Sequence, residues 1–470
     1  MDFVNSRRIS QQVMSFVICN HIDSVHRASG ALGLRLGVDS ERRPRTHLVG
    51  TCISQRDDCI IKNHNLLFMS ALAFVTTATF GLVFGNVLLW GEQIMSLVDT
   101  YFVLESVVFD VVLTLFILHL LAGIVSGILW VVMKSVLQDS PVGKRRRAAL
   151  MYMLSTLGLI LYTTGALVIG YQEPPWNQFL TISLALVAPG SGLLVWSSLF
   201  IAVSDDVSRL TSLRKLFLAA STPLFIAFFY PLFQTNDVFF QYKVVGTLCL
   251  PLIVVYIVLT FHDLVVQGWV AEPCENSQAV KIQDEAVSTR SIALIPLLKS
   301  LGFGLVSPSI LGSTFLLPHY MQTQALSAVV IRDSIICASA GALCGRVVYL
   351  LVENRRVKLM NYRVFVSALG LSTVGGWYAQ SLTSPVVPGS MEALAFFLGC
   401  AHGTLFFDLI MQSPRMICVS LTASIVALST IRTSTGFMGA VPFDYAHFTL
   451  ILMVISAVHV AYNGVLYFIN

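Results

Sequence analysis

The chain has 470 residues, of which 56% are hydrophobic and only 11% charged, with 29 Lys and Arg against 25 Asp and Glu for a net charge of +4. Soluble domains carry roughly 25% charged residues, so this composition excludes a water-soluble globular surface. Apolar segments long enough to cross about 30 Å of hydrocarbon recur along nearly the whole sequence. Lipid offers no hydrogen bonds to backbone groups, so each such segment is expected to be helical.

The first 65 residues contain Arg7, Arg8, Arg27, Arg35, Arg42, Arg43 and Arg45 and no apolar run of the secretory type. Asp2, Asp23, Asp39 and Glu41 are acids that transit peptides avoid, so the stretch reads as a cytosolic tail. Spans are then expected near 66 to 91, 102 to 134, 148 to 171, 178 to 203, 214 to 233 and 238 to 262. A second series is expected near 291 to 318, 325 to 353, 361 to 380, 391 to 411, 416 to 438 and 446 to 468. The polar stretch 264–290 between them reads as a cytosolic linker. The expectation is an all-α polytopic membrane protein with about twelve transmembrane helices, in two six-helix bundles over 66–263 and 291–468, arranged in a major facilitator-like way.

Orientation follows from the loops that hold Lys and Arg, because cytoplasmic loops carry the excess. Lys144 to Arg147 follow the second expected span, Arg209, Arg214 and Lys215 the fourth, Arg355, Arg356, Lys358 and Arg363 the eighth, and Arg415 the tenth. The alternate loops lack both residue types, which places both termini in the cytoplasm, with the plasma membrane as the expected location. None of the nine cysteines falls in an expected external loop, so no disulfide framework is implied. Cys52 and Cys59 have no second pair beside them, and neither a metal nor another cofactor is expected.

Ionisable groups inside a membrane are costly and point to a pathway or a site. Here they are Glu105, Asp110 and His119 in the second span, Lys299 in the seventh, Arg332, Asp333 and Arg346 in the eighth, Asp408 in the tenth and Arg432 in the eleventh. These spans would line a central cavity between two bundles, as in repeat-built transporters. At 100° per residue, Arg332 and Arg346 lie within about 40° of each other on one face, as do Glu105 and His119. Adjacent Arg332 and Asp333 point about 100° apart, so a head-on pair is not expected. Arg346 and Asp408 fall at comparable depth, which makes an ion pair between them the bland alternative to a site role. Gly81 and Gly85 have the spacing of close helix contact. Pro189 and Pro308 lie among glycines at positions suited to kinks.

Four fragments together resemble the equilibrative nucleoside transporter family. Gly85-Asn-Val-Leu-Leu-Trp90 with the later Tyr101-Phe102 resembles its first-helix motif, and Ser307-Pro308 stands where that family has Phe-Pro. Gly345-Arg346, 38 residues further on, resembles its helix 8 motif, and His402-Gly403 with Pro414 its helix 10 motif. Gly436 and Gly439 fall where its glycine-rich helix would. Ala342, His402 and Leu89 depart from the family's Asp, Asn and Pro, and Trp196 stands near the place of an expected Gln. The resemblance implies facilitated transport of nucleosides or nucleobases, with Trp90, Trp196, Arg332, Arg346 and His402 as candidate substrate contacts. Glu105, Asp110, His119, Lys299, Asp333, Asp408 and Arg432 are then candidate coupling or gating charges.

Two other readings compete. A major facilitator type carrier of amino acids, organic anions or sugars shares the layout, and Asp139, Gly143 and Arg145 to Arg147 resemble its loop signature, with Ser135 in place of the leading Gly. A multipass enzyme using His402 lacks any nucleophile or metal cluster paired with it by motif. The expected partners are a small solute and the lipid bilayer, with no nucleic acid.

Overall fold

The computed structural model describes residues 74–90, 93, 105–137, 141–171, 177–204, 212–234, 237–261, 294–353, 355–383, 389–437 and 445–469. The amino-terminal tail with Cys52 and Cys59, the Tyr101-Phe102 fragment, the 264–290 linker and Gly439 lie outside the described residues. So do the side chains of Glu105, Asp110 and Arg432.

The long helices run in the order α1 (Phe74–Leu88), α2 (Glu105–Val136), α3 (Pro141–Tyr171), α4 (Asn177–Ser204), α5 (Ser212–Gln234) and α6 (Val238–Phe261). The second half comprises α7 (Leu294–Thr323), α8 (Ala328–Val352), α9 (Arg356–Ser381), α10 (Ser390–Ile410), α11 (Pro414–Phe437) and α12 (Tyr445–Ile469). Eight of these, α2, α3, α4, α6, α8, α10, α11 and α12, contain stretches long and apolar enough to cross a membrane. The outer surfaces of the helices carry side chains such as Phe228, Val254, Leu351, Val426 and Phe468, all more exposed than buried. A surface so apolar needs lipid rather than water against it, and the protein is a multi-pass membrane protein.

Helix pairing repeats with an offset of six. The α2·α4, α3·α4 and α3·α6 pairs recur as α8·α10, α9·α10 and α9·α12. Gly81 and Gly85 bring α1 against Ser221 and Phe225 of α5, and α7 packs likewise on α11. The seams between the halves follow the same rule, being α5·α8 and α2·α11. The described helices of the second half thus repeat the pairings of the first.

Small residues set the tightest crossings. Gly341 and Gly345 of α8 face Gly399 and Gly403 of α10, and a Cβ on Gly403 would lie 2.6 Å from that of Ala342. Helices that meet through small residues bring backbone carbonyls within reach of a neighbour's side chain. In the first half, hydroxyls join four helices, Ser197 donating to Ser126 at 3.1 Å while Ser198 lies 3.2 Å from the Tyr256 hydroxyl and 3.4 Å from Ser155.

Two expectations about the basic clusters are corrected. Lys144 to Arg147 lie in the first turns of α3, and Arg356, Lys358 and Arg363 in those of α9, because the helices continue through the interface after their sequence turns polar. Arg147 is buried, donating to the Leu137 carbonyl at 2.8 Å, and so caps the carboxyl end of α2. Lys215 meets Glu353 near Arg355, and Gly127 toward the end of α2 meets Cys418 near Arg415, so the described members of the four clusters fall at one end, hereafter the basic end.

Candidate functional site

A cavity of about 120 Å³ lies between the halves, walled by α1 and α5 on one side and by α7, α8 and α10 on the other. It reaches from Arg346, near the basic end of α8, toward Leu88 and Leu317 at the far ends of α1 and α7. Its lining residues are mostly aliphatic and aromatic, with Thr222, Ser313, Ser334 and Ser339 among them and one charged residue, Arg346. The rings of Phe84 and Phe406 stack across the two halves, centroids 4.7 Å apart and planes within 12°. On the far side of that stack is a void of about 20 Å³ walled in part by His119, Trp196, Phe303 and Ser424. Both spaces share Phe84, Ile310 and Phe406, so the stacked rings form a partition.

The basic end is closed by contacts between the halves. Lys215 at the start of α5 pairs with Glu353 at the end of α8, Nζ to Oε1 2.5 Å, with side chains 14% and 16% exposed. One and a half turns inside, Arg346 Nη1 donates to the Ala219 carbonyl of α5 at 3.0 Å, while its Nε donates to Gly403 O of α10 at 3.1 Å. Its guanidinium carbon lies 5.9 Å from the Phe407 ring centre. The second seam is sealed by shape, since a Cβ on Gly127 of α2 would collide with Cys418 of α11.

Of the sequence candidates, Arg346 and His402 line the main cavity. His402 Nδ1 lies 2.7 Å from Ser313 Oγ, which also lies 3.1 Å from the Ile310 carbonyl. The direction of the serine–histidine bond follows the histidine tautomer. Nε2 turns toward α9, 3.6 Å from where a Cβ on Gly370 would sit. His119 repeats the device, with Nδ1 2.9 Å from Ser191 Oγ and that hydroxyl donating to the Ala188 carbonyl. His119 and Trp196 line the smaller void. Trp90 is buried beside Phe116 and His119 and lies outside the cavity wall.

The remaining charges are placed elsewhere. Arg332 and Asp333 form an ion pair at 2.9 Å, both partly exposed at the end of α8 away from the basic end, contrary to the expectation from helix geometry. Cβ directions alone do not register the reach of two flexible side chains. Asp408 pairs with Arg363 of α9 at 2.5 Å and accepts from Tyr349 at 2.7 Å, so it is not the partner of Arg346. Lys299 is half-buried in the second turn of α7, away from the cavity wall. The residues that sequence reasoning missed are Phe84, Phe406, Thr222, Lys215 and Glu353. The ion-pair residues gave one signal, a lone acid beside Arg355 and a lysine where α5 begins.

No family model and no curated protein matches the chain. Solved structures do. A peptide transporter, POT, is 14% identical with a TM-score of 0.54, covering 85% of this chain and 94% of its own. A D-xylose-proton symporter is 11% identical with a TM-score of 0.55, covering 85% of this chain and 97% of its own. The fold is of the major facilitator type. The six-helix offset in the packing and the cavity between the halves are features of this major facilitator-like architecture.

Proposed function

We propose that the protein is a carrier that moves a small polar solute across the membrane by alternating access to the cavity between its halves. The observation that carries this reading is a single cavity shared by α1, α5, α7, α8 and α10, closed at one end by contacts that cross between the halves. By the charge rule for cytoplasmic loops, the basic end faces the cytoplasm. The arrangement is then a cytoplasm-closed state, and rocking of 66–263 against 291–468 opens the other side. All twelve helices span, both termini are cytoplasmic, and the plasma membrane is the proposed location. The work is translocation without a chemical step.

Nucleosides or nucleobases are the finer reading. It is supported by the Gly345-Arg346 and His402-Gly403 resemblance and by the Phe84 and Phe406 rings, which suit a planar base. Carriage of amino acids, organic anions or sugars is the second reading, favoured by the charge of the cavity wall. The experiment is uptake by the purified chain in liposomes, across nucleosides, nucleobases, amino acids, organic acids and sugars, with and without a pH gradient. Saturable uptake of at least one solute above protein-free vesicles is expected. Its absence throughout, or conversion of a solute into product, would overturn the carrier reading.

A further inference from the structure

Arg346 is 3% exposed and lies in a membrane-spanning helix. A cation in such a place is ordinarily neutralised by a carboxylate, because an uncompensated buried charge is strongly unfavourable. Here it has none. Its two hydrogen bonds go to the neutral carbonyls of Gly403 and Ala219, and its third contact is the ring of Phe407. The nearest candidate, Asp408, is committed to Arg363 and Tyr349. One turn before Arg346, at the position best placed to supply an acid along the same helix face, stands Ala342, and it too lines the cavity. Among the described residues, no Asp or Glu lines the cavity.

A second observation sits beside it. Thr222 is a buried cavity-lining residue of α5, one turn beyond the Ala219 carbonyl that Arg346 holds, and its hydroxyl has no partner, as is true of Ser334 on α8. A buried hydroxyl without a partner is costly to leave so. The cavity wall thus holds a guanidinium with two of its five N–H donors engaged, and Thr222 and Ser334 bring hydroxyls without partners beside it. Both kinds of group want an oxygen acceptor, and the guanidinium wants negative charge.

We infer that the solute is a small organic anion whose carboxylate or equivalent oxyanion seats against Arg346 and Thr222 and supplies the missing counter-charge. The rest of the solute then lies against the apolar wall, to which the stacked Phe84 and Phe406 contribute. This inference rests on the carrier reading and names the charge of what is carried. Neutral isosteres fit the same space but leave the guanidinium uncompensated, so the cavity discriminates by charge. A cationic solute is rejected outright.

The test uses matched pairs that differ in the charged group alone: nicotinate with nicotinamide, and orotate with uracil. Binding to the purified full chain is read by thermal shift, and uptake by counterflow in liposomes. The acid of a pair should bind about ten- to a hundredfold more tightly than its neutral mate, the range of one charge-assisted hydrogen bond. Arg346→Gln should abolish the preference, while Arg346→Lys, which keeps charge without the planar fork, should retain part of it. Ala342→Asp is the independent variant. It leaves Arg346 in place, supplies an internal carboxylate, and should erase the preference while the protein remains folded. Equal binding of both mates, a preference untouched by Arg346→Gln and Ala342→Asp, or binding of neither mate in either pair would each overturn the inference. Saturable uptake of a neutral solute in those same vesicles would leave the carrier reading standing, and only loss of all uptake would remove it.

Discussion

Breaking the Lys215–Glu353 pair should open the basic end without unfolding either half. The two side chains belong to α5 and α8, on opposite sides of the seam, and are 14% and 16% exposed with Nζ and Oε1 2.5 Å apart. Removing one partner of a fully buried pair costs about 3–5 kcal/mol. Some water reaches both groups here, so about 2 kcal/mol is the better figure, and that moves an equilibrium about thirtyfold. If the open form is populated at about 1%, Glu353→Gln should raise it to roughly a quarter. Spin labels at Val136 and Val357, exposed sites at the basic ends of α2 and α9, would report the change as a second, longer distance. Lys215→Met should act the same way, and the exchange Lys215→Glu with Glu353→Lys should restore the single short distance. A Glu353→Gln protein whose distance distribution and uptake rate match the parent would refute the claim that this pair holds the seam.

Three other perturbations follow from the packing. Asp408→Asn leaves Arg363 without its carboxylate and should cost about 3 kcal/mol, read as a lower melting temperature in detergent, whereas Arg346→Lys should melt near the parent. Gly403→Ala puts a methyl 2.6 Å from the Ala342 Cβ and should destabilise by about 1–3 kcal/mol; Ala342→Gly in the same chain should recover most of the loss in the same melt. Phe406→Ala removes the ring stacked on Phe84 and joins the two voids, so uptake of bulkier solutes should rise relative to small ones, and an unchanged size limit would show that the stack is no partition.

The broad plan was legible because lipid leaves so little choice. A long apolar segment must be helical, and an even alternation of basic and non-basic loops fixes how such segments follow one another. The expected segments therefore overlap the helices from α1 to α12, even α1, α5, α7 and α9, which do not contain stretches meeting the length and hydropathy expected of a span. What failed was the assumption that a helix stops where apolarity does. The α3 and α9 helices begin inside their basic clusters, and Arg147 turns inward to cap its neighbour. The Lys215–Glu353 pair was missed for the same reason, since both residues sit at the margins of the expected spans and read as loop charges. Asp408 shows a different limit. Depth along a helix matched it to Arg346, but the choice between Arg346 and Arg363 depends on which face each helix turns inward, and the sequence does not contain that.

The two seams between the halves share a topology and differ in chemistry, and this asymmetry explains why Arg346 stands alone. Under the six-helix offset α5·α8 corresponds to α11·α2, so equivalent surfaces meet twice. On the α2·α11 side the contact is Gly127 against Cys418, small and uncharged. On the α5·α8 side the contacts are Lys215 with Glu353 and Arg346 with the Ala219 carbonyl. Arg346 reaches that carbonyl because Gly341, Gly345, Gly399 and Gly403 draw α8 and α10 together, which puts Gly403 O under its Nε and aims the guanidinium across the seam. The glycines thus do more than pack. They hold a cation at the floor of the cavity, bound on two sides by neutral oxygens and without an ion pair to any carboxylate among the described residues.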